Sequence, residues 1–343
     1  MKALVLRQPN RFEIVDAPRP EIGPGDVLVR VRACGICGSD VHGMDGSTGR
    51  RRPPIIMGHE AAGVVEAAGA AVAKWSPGRR VTFDSTVYCG RCWHCRRGEI
   101  NLCDSRQVLG VSCDDYRRQG AMAEYVAVPQ HVLYALPEGL AFEHAAMVEP
   151  LSVAVHAVER ARPAVGASAV VVGAGMIGLL AIQVLRQAGC GTIVAADIDA
   201  GRLEVARTVG ADVALHAEQC DVPAEVRACT SGRGADVALE VFGATASVQT
   251  ALAAVRKGGT VALVGNISPE VRFPLQQAVV RELTVHGSCA SRGEYPVCLD
   301  LLARGVVDAA PLISAVAPLE EAPQWFSRLQ RREPGLMKVI LQP

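Results

Sequence analysis

The period of the apolar positions changes along this chain, and the change divides it. Val27-Leu28-Val29-Arg30-Val31-Arg32 alternates apolar and charged side chains, the pattern of a strand buried on one face. Short runs of similar character follow at Gly63–Val65, Arg80–Phe83 and Glu124–Val128, bounded by glycine and proline. Phe142 to Arg160 then reads as one apolar helix. From about Ser168 continuous apolar runs alternate with helical stretches. They are Ala169–Val172 then Ile177–Leu185, Thr192–Ala196 then Arg202–Val209, Ala211–Leu215, Ala235–Val241 then Ser247–Val255, Thr260–Val264, and Thr284–His286. Strands apolar on both faces and separated by helices predict a parallel sheet covered on both sides. After Gly287 the chain returns to helix and a closing strand, Met337–Leu341. The expected fold class is therefore α/β, a doubly wound parallel sheet plus a β-rich domain that the final segment completes.

Composition narrows what such a chain can do. Its 343 residues suit about two domains, and half of them are apolar. Lys+Arg and Asp+Glu stand at 35 each, so no electrostatic pull toward nucleic acid or an acidic membrane is expected. No apolar stretch reaches the roughly 18 residues of a membrane span. The first residues, MKALVLRQPN, lack the apolar core of a secretory leader. Twelve cysteines spread through the chain then read as reduced thiols, and the expected location is the cytoplasm.

Four of those cysteines carry chemistry. Cys89-Gly-Arg-Cys92-Trp-His-Cys95 is followed by Cys103. Two successive Cys-x2-Cys turns aim three thiolates at one point, and a fourth closes a tetrahedron. Four soft ligands and no open position describe a structural zinc, in a lobe of about residues 86–105. His94, inside that run, reads as an exposed loop residue. A disulfide cluster is the alternative, disfavoured by the reduced setting.

The strand Ala169–Val172 runs into Gly173-Ala-Gly175-Met176-Ile177-Gly178 and then a helix. Gly173 permits a tight turn, Gly175 lets backbone approach a pyrophosphate, and Gly178 lets helix pack on strand. The free N–H groups and dipole of the helix N-terminus favour phosphate. The next strand ends at Asp197, beside Ile198. Asp197 lies 19 residues after Gly178, where a carboxylate accepts the ribose hydroxyls. It would repel a 2′-phosphate, as would Asp199, so NAD is expected over NADP; Arg202 is the counter-indication. Phe242 and Val264-Gly265-Asn266 follow strands at the carboxyl edge, where such cofactors lie.

Cys37, His59 and Glu60 form a possible second zinc set with one position left for substrate, and Glu149 is a further carboxylate. From spacing alone the set is weakly indicated, since a lone His before Glu is more often structural. The strings CGICGSDVH, GHEAAG, PGRRV, the four-cysteine lobe, EPLSVAVHA and GAGMIGL occur in the order found in zinc-dependent medium-chain dehydrogenases/reductases. Over essentially its whole length the chain resembles that superfamily, most closely its polyol (sorbitol/L-iditol) dehydrogenase branch. The resemblance implies a GroES-like catalytic domain at 1–152, a Rossmann NAD-binding domain at 153–288 and a return at 289–343. It implies two zinc ions per chain and a homo-oligomer, a tetramer before a dimer. Cys37, His59 and Glu60 match the catalytic zinc ligands. Glu149 matches a position that binds zinc or holds its water, with Glu60 the expected resting ligand of the two. Asp40 matches the carboxylate behind the ligand histidine, Ser39 the hydroxyl that bonds the reacting alcohol, and His42 the outer member of a proton relay. Cys34 is expected as a buried neighbour.

Two departures from the branch bear on the substrate. Gly43 stands where animal-type members carry an aromatic, and Arg292 lies two positions later than the arginine that touches the polyol. Arg50-Arg51-Arg52 reads either as a solvated loop or as an anion contact suited to a phosphorylated polyol. The expected activity is NAD-dependent oxidation of a secondary alcohol of a polyol to the ketose. Galactitol-1-phosphate-like, 2,3-butanediol and L-threonine 3-dehydrogenases are the alternatives within the enzyme class. A non-catalytic dinucleotide-binding protein is the alternative outside it.

Overall fold

A computed structural model describes residues 1–113 and 116–343, with side chains outside 112–117. The chain divides into two compact units. One comprises Met1–Glu149, Arg292–Gly305 and Ala309–Pro343; the other comprises Pro150–Ser291 with Val306–Asp308.

The first unit is built on a seven-stranded sheet. Its order runs Leu133–Ala135, Arg80–Phe83, Glu60–Ala68, Asp26–Gly35, Lys338–Gln342, Ile313–Pro318, and Tyr125–Pro129 also pairs with Asp26–Gly35. The alternating segment 27–32 is the centre of the long strand Asp26–Gly35. Its apolar positions Val27, Val29 and Val31 are buried in a core with Leu4, Leu6, Phe83, Met122 and Phe326. Lys338–Gln342 enters beside it, pairing Leu341 with Cys34 and Ile340 with Gly35. That register brings the closing strand to the segment that leads into Cys37.

The second unit is a six-stranded sheet, all parallel. Its order is Val213–His216, Ile193–Asp197, Ala169–Val172, Ala235–Glu240, Val255–Leu263, Thr284–Gly287. Numbered within the unit this is 3-2-1-4-5-6, the doubly wound order whose switch point lies beside the first strand. Val170, Val194, Ala238 and Val261 fill its core against the helix Thr245–Ala254.

The single helix expected over Phe142–Arg160 is two, Phe142–Ala145 and Val148–Ala161. Pro150 is the reason. It has no N–H to give to the carbonyl four residues back, so it suits only a first turn, and the helix restarts just ahead of it. The longer helix carries Glu149 in that first turn.

Candidate active site

The cysteine lobe is built by local turns. Cys92 caps the four-residue helix Trp93–Arg96, its sulfur accepting the Cys95 N–H at 3.4 Å. The Cys92 N–H reaches Cys89 Sγ at 3.4 Å, and the Cys89 N–H reaches Cys103 Sγ at 3.3 Å. All four sulfurs lie within 4.8 Å of one another. Backbone N–H donors pull the Cys89 thiol down to about 6, while burial pushes Cys95 up to about 12. One thiolate is already favoured, and Cys95 and Cys103 need a cation. Four convergent sulfurs with no oxygen donor suit zinc in a closed tetrahedron. His94 is half-buried, with Nδ1 3.0 Å from Glu99, which corrects its expectation as an exposed loop residue.

The second cluster is assembled from distant segments. Cys37 is the N-cap of the short helix Gly38–Gly43, and its sulfur accepts the Ser39 N–H at 3.4 Å and the Ser39 hydroxyl at 3.3 Å. His59 and Glu60 sit at the start of the strand Glu60–Ala68, both buried. Ligand atoms of Cys37, His59 and Glu60 lie within 4.8 Å of one another. Asp40, fully buried, has Oδ1 3.6 Å from His59 Nδ1. Burial opposes ionisation of Asp40, but His59 and Arg51 hold its carboxyl below the usual range. Burial and the neighbouring Glu60 push the Cys37 thiol up to about 12. Burial, with Glu60 and Cys37, pushes Glu149 up to about 8 against the opposing pull of His59. Two acids held neutral by burial and by the charge of Glu60 are what a dication would reverse. The donor set of thiolate, imidazole and carboxylate fits zinc with an open position. Glu149 lies outside the three-residue group. Ser39 and His42 are exposed on the same short helix, and Cys34 is fully buried.

Two residues of this cluster were not legible as such. Lys338 is 2 % exposed, with Nζ 2.5 Å from Glu60 Oε2 and 3.1 Å from the Ile36 carbonyl. Glu60, Cys37 and Glu149 raise its pKa against the cost of burial. The available signal was a single charge in an otherwise apolar run, Met337–Leu341, since a lysine there must be paired. The other is Arg51. Neither a solvated loop residue nor an open anion contact, it is buried, with Nη2 2.7 Å from Asp40 Oδ1. Its charge is spent on a carboxylate inside the protein.

The glycine loop of the second unit follows its strand directly. Gly173 has φ +104°, reachable without strain only by glycine, and a Cβ on Gly178 would overlap the Gly173 carbonyl. Gly175 caps the helix Met176–Gln187, so the N–H groups of Met176 and Ile177 open toward the loop. Asp197 Oδ2 accepts the Ala174 N–H at 2.6 Å and Oδ1 the Asp199 N–H at 2.9 Å. Asp199 caps the helix Ala200–Thr208, and Arg202 Nε stands 4.0 Å from its carboxylate. Ile198 and Phe242 are exposed apolar side chains at the carboxyl edge of this sheet. A buried Glu240 holds the Phe242 and Gly243 N–H groups at 3.0 and 2.7 Å, against Val264, Gly265 and Asn266 of the next strand end. A pinched glycine loop at a helix N-terminus, a carboxylate at the second strand end and apolar side chains at the edge fit a dinucleotide.

Comparison with known proteins agrees with this geometry. Residues 23–138 match the alcohol dehydrogenase GroES-like domain, and residues 177–304 match the zinc-binding dehydrogenase domain. Sorbitol dehydrogenase of Bacillus subtilis is 34 % identical over all of this chain and 97 % of its own length. D-xylulose reductase A of Aspergillus oryzae is 36 % identical over 96 % of this chain and 93 % of its own. Alcohol dehydrogenase TADH from Thermus sp. ATN1 superposes with a TM-score of 0.94 at 36 % identity, covering 100 % of this chain and 99 % of that one. A zinc-binding dehydrogenase structure from Sinorhizobium meliloti 1021, bound to NADP, superposes at 0.91 with 33 % identity over 100 % and 99 %. The chain thus belongs to the zinc-dependent medium-chain dehydrogenases, in their polyol dehydrogenase branch.

Proposed function

We propose that this enzyme oxidises a secondary alcohol of a polyol to the ketose, reversibly, with NAD. The observation that carries the reading is the convergence of Cys37, His59 and Glu60 within 4.8 Å, beside the Ser39 hydroxyl, in a chain with an intact dinucleotide loop. A protein that only bound dinucleotide would have no use for three ligands around an open metal position. Zinc, when bound, supplies a Lewis acid for the substrate hydroxyl, and the nicotinamide supplies the hydride acceptor. Cys37, His59 and Glu60 hold the metal, and Asp40 orients His59. Ser39 Oγ accepts the hydroxyl proton as its own leaves toward solvent, with His42 at the outer end. Glu149, close enough to feel the charges of His59, Glu60 and Cys37, would hydrogen-bond a group that filled the open position. Gly173, Gly175, Met176, Ile177 and Gly178 cradle the pyrophosphate, and Asp197 takes the ribose hydroxyls through its remaining lone pairs. Ile198, Phe242, Val264, Gly265 and Asn266 would flank the rings; Arg202 stands with Nε 4.0 Å from the Asp199 carboxylate and Nη1 beside Gly175, at the edge of the glycine loop.

Relatives named for sorbitol and D-xylulose support a polyol. The burial of Arg51 against Asp40 weighs against a phosphorylated one. Exposed Leu275, Val279 and Val280 on one short helix, preceding the edge strand Thr284–Gly287, support self-association into a homo-oligomer. Thiol rather than disulfide sulfurs at Cys34, Cys190 and Cys220 support a cytoplasmic setting.

The test is initial rates with sorbitol, xylitol, galactitol 1-phosphate, 2,3-butanediol and L-threonine, each with NAD and with NADP. Free polyols with NAD are expected to be turned over best. Turnover confined to the phosphate or the amino alcohol would overturn the substrate reading, and no turnover by zinc-replete protein would overturn the enzymatic one. Asp197→Ser is expected to lower the NAD to NADP ratio of kcat/KM at least roughly tenfold, about 1.4 kcal/mol. An unchanged ratio would mean that another residue reads the ribose.

A further inference from the structure

Arg51 does more than neutralise Asp40. Its Nε and Nη2 donate to Asp40 Oδ1 at 3.2 and 2.7 Å, and Nη1 donates to the Arg50 carbonyl at 3.1 Å. Nη2 also reaches Ser39 Oγ at 3.2 Å. The Ser39 hydroxyl in turn gives its hydrogen to Cys37 Sγ at 3.3 Å. The same arginine accounts for the glycine at position 43. A Cβ on Gly43 would stand 2.9 Å from Arg51 Cγ and 3.2 Å from Thr48 Oγ1. Cγ lies near the root of the side chain, so it cannot swing aside without moving the guanidinium. Gly43 is the passage for the stem of Arg51.

We infer that Arg51 is a positioning residue for the proton relay: it fixes the Ser39 hydroxyl, and Gly43 is the space that lets it reach. The inference rests on the relay role proposed for Ser39. A serine hydroxyl has one hydrogen, two acceptor lone pairs and three staggered wells. At rest Cys37 takes the hydrogen and Arg51 one lone pair; the remaining lone pair receives the incoming proton as the original hydrogen turns from Cys37 Sγ and leaves toward solvent. Ser39 is exposed and has no packing to hold its rotamer, so these two bonds set its direction. Only a planar fork of donors serves a carboxylate and a neighbouring hydroxyl together; a lysine ammonium would keep the charge beside Asp40 and lose the reach to Ser39.

The experiment uses full-length, zinc-replete enzyme with sorbitol and NAD. It compares Ser39→Ala, Arg51→Lys, Gly43→Ala and their pairwise doubles, with melting temperature and zinc content read on each. Arg51→Lys is expected to keep zinc and melting while lowering kcat about tenfold with little change in KM, the scale of one lost charge-assisted hydrogen bond. In the Ser39→Ala background the same change should cost less than about twofold, because its target is gone. Gly43→Ala should reproduce the loss, and should not add to Arg51→Lys. Equal costs of Arg51→Lys with and without Ser39 would overturn the inference and leave the relay standing. So would kcat losses that track zinc or melting. If Ser39→Ala itself leaves kcat unchanged, the relay reading fails and the inference falls with it. Should Arg51→Lys not fold, the Gly43→Ala and Ser39→Ala pair decides by the same additivity criterion.

Discussion

The two cysteine-bearing clusters are made in opposite ways. The lobe closes on itself: Cys89 and Cys103 are 14 positions apart, and its sulfurs are served by backbone N–H groups of the same loop. The other cluster draws on both ends of the chain. Lys338 reaches the Ile36 carbonyl across 302 positions and Glu60 across 278, and the buried carboxylates Glu60 and Asp40 are matched by Lys338 and Arg51. A cage of four thiolates needs only local turns. A centre with an open position must hold its unfilled side polar, and therefore needs partners that no single loop can carry.

The sharpest way to break this comparison is to remove one ligand from each cluster. His59→Ala should cost kcat at least roughly a thousandfold, about 4 kcal/mol, with melting changed little. Cys92→Ser should do the reverse and destabilise the fold by roughly 3 kcal/mol, several degrees of melting, before it touches the chemistry. Zinc content should fall from two to one per chain in both. Matching losses of stability and turnover in the two variants would erase the distinction.

A second test concerns the countercharge. Lys338→Met leaves Glu60 buried without its cation, and should destabilise the zinc-depleted protein by about 3 kcal/mol in denaturant titrations. Glu60→Gln in the same chain should recover most of it. If the single variant is as stable as the parent, the pair contributes nothing.

The smallest effect expected is a pH slope. Glu149 has its folded pKa raised to about 8 from the ordinary 4.5. The folded state therefore binds the proton more tightly, and stability is fully present below about 4.5 and is lost as pH rises toward 8. In zinc-depleted protein Glu149→Gln should flatten that slope, leaving the variant more stable than the parent by roughly 2 kcal/mol or more above pH 8. Parallel stability curves across that window would mean that Glu149 is not strained by its burial.

Sequence and structure agree best where function is local. The lobe spacing, the glycine loop and the parallel strands were all readable, because each is set by neighbours within a few tens of residues. Ala169–Val172 is a strand with the very bounds its apolar run suggested. What stayed hidden was long-range pairing. In the sequence Lys338 is only the polar position of the run Met337–Leu341 and Arg51 one of three loop arginines, because nothing in a linear pattern says which charge will be buried against which. Gly43 was noticed as a departure, but its cause, the path of the Arg51 stem, lies eight positions away on another segment. The break before Pro150 was missed although proline chemistry signals it, since apolar periodicity continued through it.

The position of Lys338 also orders events during synthesis. The cysteine lobe emerges complete, and can take up its metal, while most of the chain is still unmade. The strand Lys338–Gln342, which supplies the counterion of Glu60 and the partner of Cys34 and Gly35, is translated after the whole nucleotide-binding unit. At ordinary elongation rates that is on the order of ten seconds or more after Cys103. During that interval Glu60 lacks the lysine that later neutralises it. The nascent enzyme therefore passes through a stage in which one of its two metal centres is built and the other is not.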